Sequence, residues 1–274
     1  MIRQAPAELR AETGGATLLD MWTALEAELD LWSRLGRTAE FWWRDDDAKA
    51  ATPQLERLIG CAQGVPLAIA VIPARAQPQL AARLASLPSV CVLQHGWDHA
   101  NHNLQAADDP GDSGLPNEYP ASRPDDEVRD EIVRGHQVLT DLFGGQNLPV
   151  FAPPWHGFAD ARLALLAEAG LMGISRLGPR SAEAAGGLAV SNVHVSIRTT
   201  RPPEDASDDD DLRRICDHLR SRRTGAADPR EPTGLLTHHI RQGGASMQLM
   251  ARLAPTISEH PAARWLDARE VFGL

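Results

Sequence analysis

Residues 90–99 read Val-Cys-Val-Leu-Gln-His-Gly-Trp-Asp-His, a short apolar run followed at once by two histidines four positions apart. An apolar run of this length is typical of a buried strand. The two histidines that follow, His95 and His99, indicate a polar site where that strand ends. Alone, this spacing is weak evidence, because pairs of histidines also occur on solvated surfaces.

A second segment repeats this arrangement, since residues 41–47 read Phe-Trp-Trp-Arg-Asp-Asp-Asp. Two histidines and one aspartate make a three-ligand set for a divalent metal, most simply zinc, with cobalt, nickel or iron as alternatives. Three protein ligands leave one coordination position open for water, as in catalytic zinc sites. The competing interpretation of the aspartates is a plain turn after a strand.

Apolar runs of strand length alternate with helical segments along the chain. The periodicity predicts strands at 40–43, 67–72, 90–93, 150–152, 171–174, 193–197 and 235–237, and helices at 18–35, 53–62, 77–87, 126–143, 159–169, 208–222 and 245–258. Such alternation favours βαβ units and a parallel sheet. We expect one α/β domain over residues 1–274, with residues 1–36 as an N-terminal helical extension. Residues 101–124 are rich in Asp, Gly, Pro and Asn and predict a long loop, of the kind that is usually functional or mobile.

Composition narrows the classes of function. The chain has 274 residues and a formal net charge of −10, which excludes a nucleic-acid-binding surface of the usual basic kind. No apolar run approaches the roughly 18 residues of a membrane span, and the N-terminus does not resemble a secretory signal. The three cysteines are distant from one another and indicate reduced thiols. We therefore expect a cytoplasmic protein without membrane or nucleic-acid partners.

Polar clusters follow four of the predicted strands. They are Asp45–Asp47, His95 with His99, residues 153–156, and His238 with His239. In a parallel barrel the carboxyl ends of the strands lie on one face, so these clusters are expected to converge. A metal-bound water, a carboxylate base and a histidine acid form a complete set for hydrolysing an amide or an ester.

These motifs resemble those of the polysaccharide deacetylases, the NodB-like proteins of carbohydrate esterase family four. The family motif Thr-Phe-Asp-Asp-Gly corresponds to residues 44–48, and His-Ser/Thr-x-x-His corresponds to residues 95–99. The motif Arg-Pro-Pro-Tyr-Gly corresponds to residues 152–156, and the strand that ends in a catalytic histidine corresponds to residues 235–238. The resemblance spans roughly residues 40–240. It implies a distorted (β/α) barrel of about seven parallel strands.

The resemblance also implies roles for single residues. Asp46 corresponds to the general base and His238 to the general acid, while Asp47, His95 and His99 correspond to the ligands of one divalent metal. Pro154, Trp155, His156 and Arg44 are the expected substrate-binding residues. A register shift that assigns base and ligand to Asp45 and Asp46 is the alternative.

Two family features are absent from this sequence. Ala152 stands where the family has the arginine that orients the base, and Arg44 is the candidate substitute. The fourth motif, an Asp followed by Trp, has no clear counterpart, the nearest region being residues 192–196.

The function that the sequence favours is hydrolysis of a carbon–nitrogen bond, with removal of an N-acetyl group from a sugar as the main hypothesis. The expected substrate is a small molecule or an oligosaccharide. One alternative is an amidohydrolase that acts on a small non-sugar amide. Another is a barrel that keeps the metal and binds a glycan or a metabolite without turnover. A further alternative is an α/β protein in which the histidine and aspartate clusters never meet.

Overall fold

The computed structural model describes residues 20–103, 115–197 and 209–274. Within these ranges, ten strands form one sheet in the order β6-β7-β5-β4-β3-β2-β1-β9-β8, and β10 also pairs with β1. The strands are β1 (Ala39–Ala48), β2 (Leu67–Val71), β3 (Val90–Gln94), β4 (Asn147–Phe151), β5 (Gly173–Ile174), β6 (Ala184–Ala185), β7 (Leu188–Val190), β8 (Val195–Ser196), β9 (Thr233–Thr237) and β10 (Ala263–Trp265).

All the strand pairs are parallel except the β6–β7 hairpin, and the sheet curls into an incomplete barrel. This confirms the predicted distorted α/β barrel. The helices are α1 (Met21–Arg34), α2 (Pro53–Ala62), α3 (Pro78–Leu84), α4 (Asp125–Phe143), α5 (Leu163–Glu168), α6 (Asp209–Thr224), α7 (Gly244–Glu259) and α8 (Ala268–Phe272). None of the helices in the described part of the chain combines the length and apolar character that a membrane span requires.

Alternating side chains of each strand fill two apolar cores. Trp43 packs in the core between the sheet and the outer helices, whereas Trp42 packs in a second core with Leu93 and Val150. Neighbouring residues of a strand point to opposite faces, so the two tryptophans anchor both cores from one strand. Of the predicted N-terminal extension, residues 1–19 lie outside the described ranges, and α1 packs on α6 through buried Leu25 and Leu29.

Strand β1 is longer than its apolar run predicts, because Asp45–Asp47 belong to the strand itself. They were expected after its end. Three consecutive aspartates can lie in a buried strand only when each charge finds partners. The β6–β7 hairpin and β10 were not predicted, because these short segments have no marked apolar run.

The ends of the curled sheet meet through single residues without a full strand pair. The Val193 N–H donates to the Arg176 carbonyl at 3.0 Å, and the Val193 carbonyl accepts from the Gly178 N–H at 2.8 Å. On the other side, the His194 N–H donates to the Gly234 carbonyl at 2.7 Å. Gly234 is required here, because a Cβ at this position would lie 2.4 Å from the Asn192 carbonyl oxygen. This closing seam, residues 192–194 with Gly234, occupies the region where the fourth motif was sought.

Candidate active site

The three aspartates of β1 serve three different partners. Asp45 is fully buried and accepts hydrogen bonds from the Thr237 hydroxyl (2.6 Å) and the His239 N–H (2.9 Å), and it also pairs with the His239 ring. Its contacts therefore join β1 to the end of β9. The Asp47 carboxylate instead contacts His95 and His99. The geometry therefore favours Asp46 as the base and Asp47 as the ligand over the alternative assignment to Asp45 and Asp46.

Asp46 forms a buried two-point ion pair with Arg44. The Nε and Nη2 atoms of Arg44 donate to the two carboxylate oxygens at 2.8 and 3.0 Å. Burial on its own would raise the pKa of Asp46, but the Arg44 guanidinium and the nearby histidines hold that pKa below its usual range. The carboxylate is therefore ionised at neutral pH, as a general base must be.

Arg44 was expected among the substrate-binding residues, and its position corrects that expectation. Its side chain is fully buried, and Nη1 donates to the carbonyl (2.8 Å) and hydroxyl (2.7 Å) oxygens of Ser175. Most of its donors are thus committed to Asp46 and Ser175, behind the pocket wall. Its ion pair with Asp46 is the contact expected of a substitute for the missing motif-three arginine.

Asp47, His95 and His99 form a group that could hold a metal ion. Their ligand atoms all lie within 4.8 Å of one another, and Asp47 Oδ1 is 3.2 Å from the Nε2 atom of each histidine. His95 Nδ1 lies 2.8 Å from the Ala152 carbonyl oxygen. That contact places the ring proton on Nδ1 and leaves the Nε2 lone pair directed at the group, an arrangement usual for metal-binding histidines.

The donor set fits a divalent metal of borderline softness. Two imidazole nitrogens and one carboxylate oxygen are the ligands that catalytic zinc sites use, with a further position left for water. Burial would raise the pKa of Asp47, but the adjacent His95 and His99 rings outweigh it and hold that pKa well below its usual range, so this ligand is anionic. Among the described residues, no other group of three acidic, histidine or cysteine side chains converges in this way.

Backbone strain concentrates around these residues. Asp47, His99, Trp155 and His156 all have positive φ, between 50° and 71°. This region of φ is unfavourable for residues other than glycine and persists only where the surroundings impose it. Four such residues at one site indicate that the fold tolerates an unfavourable backbone conformation here, and that this conformation sets the direction of these side chains.

Glu118 supports the loop that carries the histidines, and the sequence analysis missed it. Its Oε1 atom accepts three hydrogen bonds, from the N–H groups of Trp97 (3.1 Å), Asp98 (2.8 Å) and His99 (3.0 Å). Burial raises the pKa of Glu118 to about 7, although the N–H donors oppose that shift. The one available signal was an isolated acidic residue in a polar loop, which carries no periodicity.

Gly96 lies directly against this carboxylate. Its φ is +62°, and a Cβ at this position would lie 1.8 Å from Glu118 Oε2 and 2.6 Å from Pro154 Cγ. Glycine at this position therefore lets the histidine loop close onto both residues. Pro154 is itself buried, so it acts as a wall beneath the loop.

All the predicted site residues except Pro154 and Arg44 line one pocket of about 270 Å³. Asp46, the three candidate ligands, Trp155, His156 and His238 all line it. The Nδ1 atom of His238 is buried without a hydrogen-bond partner among the described residues, as expected of a group that awaits a ligand. Burial and the Arg44 charge lower the pKa of His156 to about 4, so its ring is neutral.

Three further lining residues were not predicted, namely Leu115, Pro116 and Arg241. Arg241 lies in the turn after β9, and its Nη2 atom is 3.5 Å from Asp47 Oδ2. The Trp155 and His99 rings are in contact, with centroids 4.2 Å apart. The pocket therefore has an aromatic wall, an apolar rim and one exposed cation beside the candidate metal ligands.

No protein-family model matches the chain, and no curated protein sequence matches it. Solved structures do match it in fold. A presumed polysaccharide deacetylase from Mycobacterium smegmatis superposes with a TM-score of 0.57 at 14% identity, over 87% of this chain and 90% of that one. The Bc1960 peptidoglycan N-acetylglucosamine deacetylase gives a TM-score of 0.53 at 15% identity, over 86% and 89% of the two chains.

A family 4 acetyl xylan esterase from Clostridium thermocellum, solved with a cobalt ion, gives a TM-score of 0.52 at 13% identity, over 85% of this chain and 90% of that one. At identities this low, the superpositions show a shared fold and nothing more specific. They cover most of each chain. The chain therefore has the barrel fold of the polysaccharide deacetylases and family 4 carbohydrate esterases.

Proposed function

We propose that this protein is a metal-dependent hydrolase that removes an N-acetyl group from a sugar. One observation carries the proposal. Asp46 with its arginine partner, the group Asp47–His95–His99 and His238 surround one pocket, although they come from three strand ends. The names of the similar structures support the same class of reaction.

A divalent metal held by Asp47, His95 and His99, with zinc as the first candidate, would supply a Lewis acid and lower the pKa of a water molecule. The protein's own groups do the rest. Asp46, kept ionised by Arg44, accepts the proton of the attacking water. His238, at the end of β9, donates a proton to the departing amine. Trp155 provides an aromatic face for a sugar ring.

A second candidate reaction is hydrolysis of a small non-sugar amide. The pocket volume of about 270 Å³ is at the small end of the range for ligand sites. A pocket of this size holds one sugar ring or a compact amide more readily than a polymer. Both candidates use the same metal ligands, base and acid, so only a substrate screen separates them.

The test of the proposed function combines metal content with turnover. Purified wild type should contain about one divalent ion per chain. His95→Ala and Asp47→Ala should lose it, because each removes one of three ligands. Asp46→Asn should keep the metal and lose acetate release from N-acetylglucosamine oligomers by about 10²–10⁴-fold.

Other results would contradict parts of the proposal. A wild type that contains no metal and takes up neither zinc, cobalt nor nickel would exclude the metal-dependent mechanism. Turnover by Asp46→Asn at the wild-type rate would remove Asp46 as the base. A metal-loaded wild type that binds these oligomers without releasing acetate, with equal affinity in Asp46→Asn, would indicate a binding protein.

A further inference from the structure

A second cleft, of about 130 Å³, adjoins the pocket. The two share Asp47, His99 and Arg241, so the candidate metal ligands stand between them. A substrate whose amide lies at these ligands can therefore extend into either space. The second cleft differs in character, because Lys49, Arg75 and Arg241 all line it.

The backbone that carries the three cations is anchored. Lys49 directly follows β1, and its carbonyl accepts a hydrogen bond from the Gln77 N–H at 2.9 Å. Arg75 ends a 3₁₀ turn that is tied to the histidine loop, since the Ala74 N–H donates to the Trp97 carbonyl at 2.9 Å. Arg241 ends a turn in which its N–H donates a hydrogen bond to the His238 carbonyl, also at 2.9 Å.

The charges of Lys49 and Arg75 are not neutralised within the described part of the chain. There, neither side chain forms an ion pair or a hydrogen bond, and Arg241 reaches only Asp47. Asp98 is the other acid of the cleft, and its Oδ1 atom accepts from the Ala100 N–H at 3.0 Å. A cluster of three cations is notable in a chain of net charge −10, and Lys49 is the only lysine in the sequence.

An exposed cation usually needs no explanation, because it is solvated by water. Here, however, three cations line one small cleft beside a candidate catalytic centre. They repel one another, and an anion bound between them relieves that repulsion. Arginine forks and a lysine ammonium are the donors that carboxylate and phosphate oxygens prefer. The volume of the cleft suits one such group with a few waters.

We propose that this cleft binds an anionic group, a carboxylate or a phosphate, of the molecule that is deacetylated. The inference rests on the proposed function and narrows its substrate class to acidic N-acyl compounds. Lys49 and Arg75 hold the anion, and Arg241 links it to the reaction site. Such a substrate is anchored on both sides of the scissile amide.

The first test compares matched substrates. Acetate release is measured for a neutral N-acetylglucosamine derivative, for the same compound with a carboxylate, and for the same compound with a phosphate. We expect kcat/KM to be about tenfold or more higher for at least one acidic compound, because charge-assisted hydrogen bonds are the strong ones. In the double variant Lys49→Met/Arg75→Met that preference should fall to near unity. Arg57→Met, an exposed arginine of α2 outside both pockets, is the matched control.

A second test does not depend on activity. Because Lys49 is the only lysine, Lys49 and the N-terminus are the only amines that an amine-reactive acylating reagent can modify. In Asp46→Asn, used to slow turnover, the acidic compound should protect Lys49 at least several-fold, while the N-terminus reacts at an unchanged rate. The neutral compound should protect neither amine. Peptide mapping by mass spectrometry gives both rates.

The outcomes separate the two proposals. Equal rates for neutral and acidic substrates, with Lys49 unprotected, would overturn the anion site and leave the deacetylase intact. Selective protection of Lys49 without acetate release from any compound would overturn the deacetylase and keep the anion site. If the double variant slows neutral and acidic substrates equally, the two cations serve the structure and the proposal is wrong. The better of the two acidic compounds identifies the group.

Discussion

At the scale of the residue, the aspartates of β1 divide their work because neighbouring side chains of a strand point in different directions. Asp45 joins β1 to β9, Asp46 pairs with Arg44, and Asp47 faces the two histidines. Each carboxylate is buried, and each has the partner that makes burial tolerable. The adjacent residues therefore differ in role through their partners and not through their chemistry.

The Arg44–Asp46 pair gives a prediction at this scale. Arg44→Met leaves Asp46 buried without its cation, so burial is then largely unopposed and raises the pKa of Asp46. The acidic limb of the kcat/KM profile should move to higher pH, and loss of a buried partner should cost about 3–5 kcal/mol of unfolding free energy. Denaturant unfolding and a pH series of acetate release measure the two effects.

Arg44→Lys is the companion variant, because it keeps the charge while losing the two-point geometry. We expect it to restore most of the acidic limb and only part of the stability. A folded Arg44→Met whose pH profile matches wild type would contradict the positioning role of Arg44.

At the scale of the element, the site depends on how closely α4 approaches the end of β3. Gln94, the last residue of β3, donates from Nε2 to the carbonyls of Gly96 (3.2 Å) and Ile132 (3.1 Å). A Cβ on Gly135 of α4 would lie 2.3 Å from the same Nε2 atom. Glycine in the middle of this helix therefore allows the helix to lie against the histidine loop.

Two helix glycines make a matched pair for testing this contact. Gly135→Ala should destabilise the protein by about 1–3 kcal/mol through overpacking and disturb the histidine loop. Gly60→Ala in α2 should stabilise it by about 0.5–1 kcal/mol, because nothing lies within 4 Å of the added methyl and alanine favours a helix. Thermal unfolding of both variants measures the difference. Equal effects would mean that α4 does not press on the loop.

At the scale of the whole molecule, His194 of the closing seam stacks on His218 of α6, and both residues are partly buried. The rings of His194 and His218 stack with centroids 3.9 Å apart. His194 Nδ1 accepts from the Gly234 N–H at 3.0 Å, and His218 Nδ1 lies 3.0 Å from the Thr233 hydroxyl. Burial, His194 and the Arg222 charge lower the pKa of His218 to about 3, so this ring is neutral in the folded protein.

This shift makes the fold sensitive to mild acid. The unfolded chain binds a proton at His218 near pH 6.5, and the folded protein does so only near pH 3, so stability is complete above about pH 6.5 and is lost as pH falls through that window. From pH 7 to pH 5 we expect a loss of about 1–2 kcal/mol from this group, after allowance for partial solvent exposure.

His218→Asn should therefore reduce, by about the 1–2 kcal/mol assigned to this group, the loss of unfolding free energy between pH 7 and pH 5. The exposed His102→Asn, as a control, should leave it unchanged. Glu118, whose pKa is raised to about 7, and His156, whose pKa is lowered to about 4, also change the stability in this window, but they are present in both proteins, so the difference between variant and wild type isolates His218. An equally steep dependence in His218→Asn would locate the acid sensitivity elsewhere.

The sequence by itself determined the positions of most strands, the barrel and most of the residues that line the pocket. It could do so because apolar runs, followed by Asp45–Asp47, His95 and His238, are local signals, and because parallel strands bring their carboxyl ends to one face. Residues 104–114 of the predicted loop, like residues 1–19 and 198–208, lie outside the described ranges.

The tertiary structure alone decided which side chains support those residues. Arg44 turned out to lie behind Asp46, Glu118 under the histidine loop, and Lys49 with Arg75 beside the ligands. None of these positions follows from periodicity, because each contact joins segments that are distant in sequence or depends on a side chain's direction. Spacing along the chain predicts an element, whereas the partners of a buried charge depend on how the elements pack.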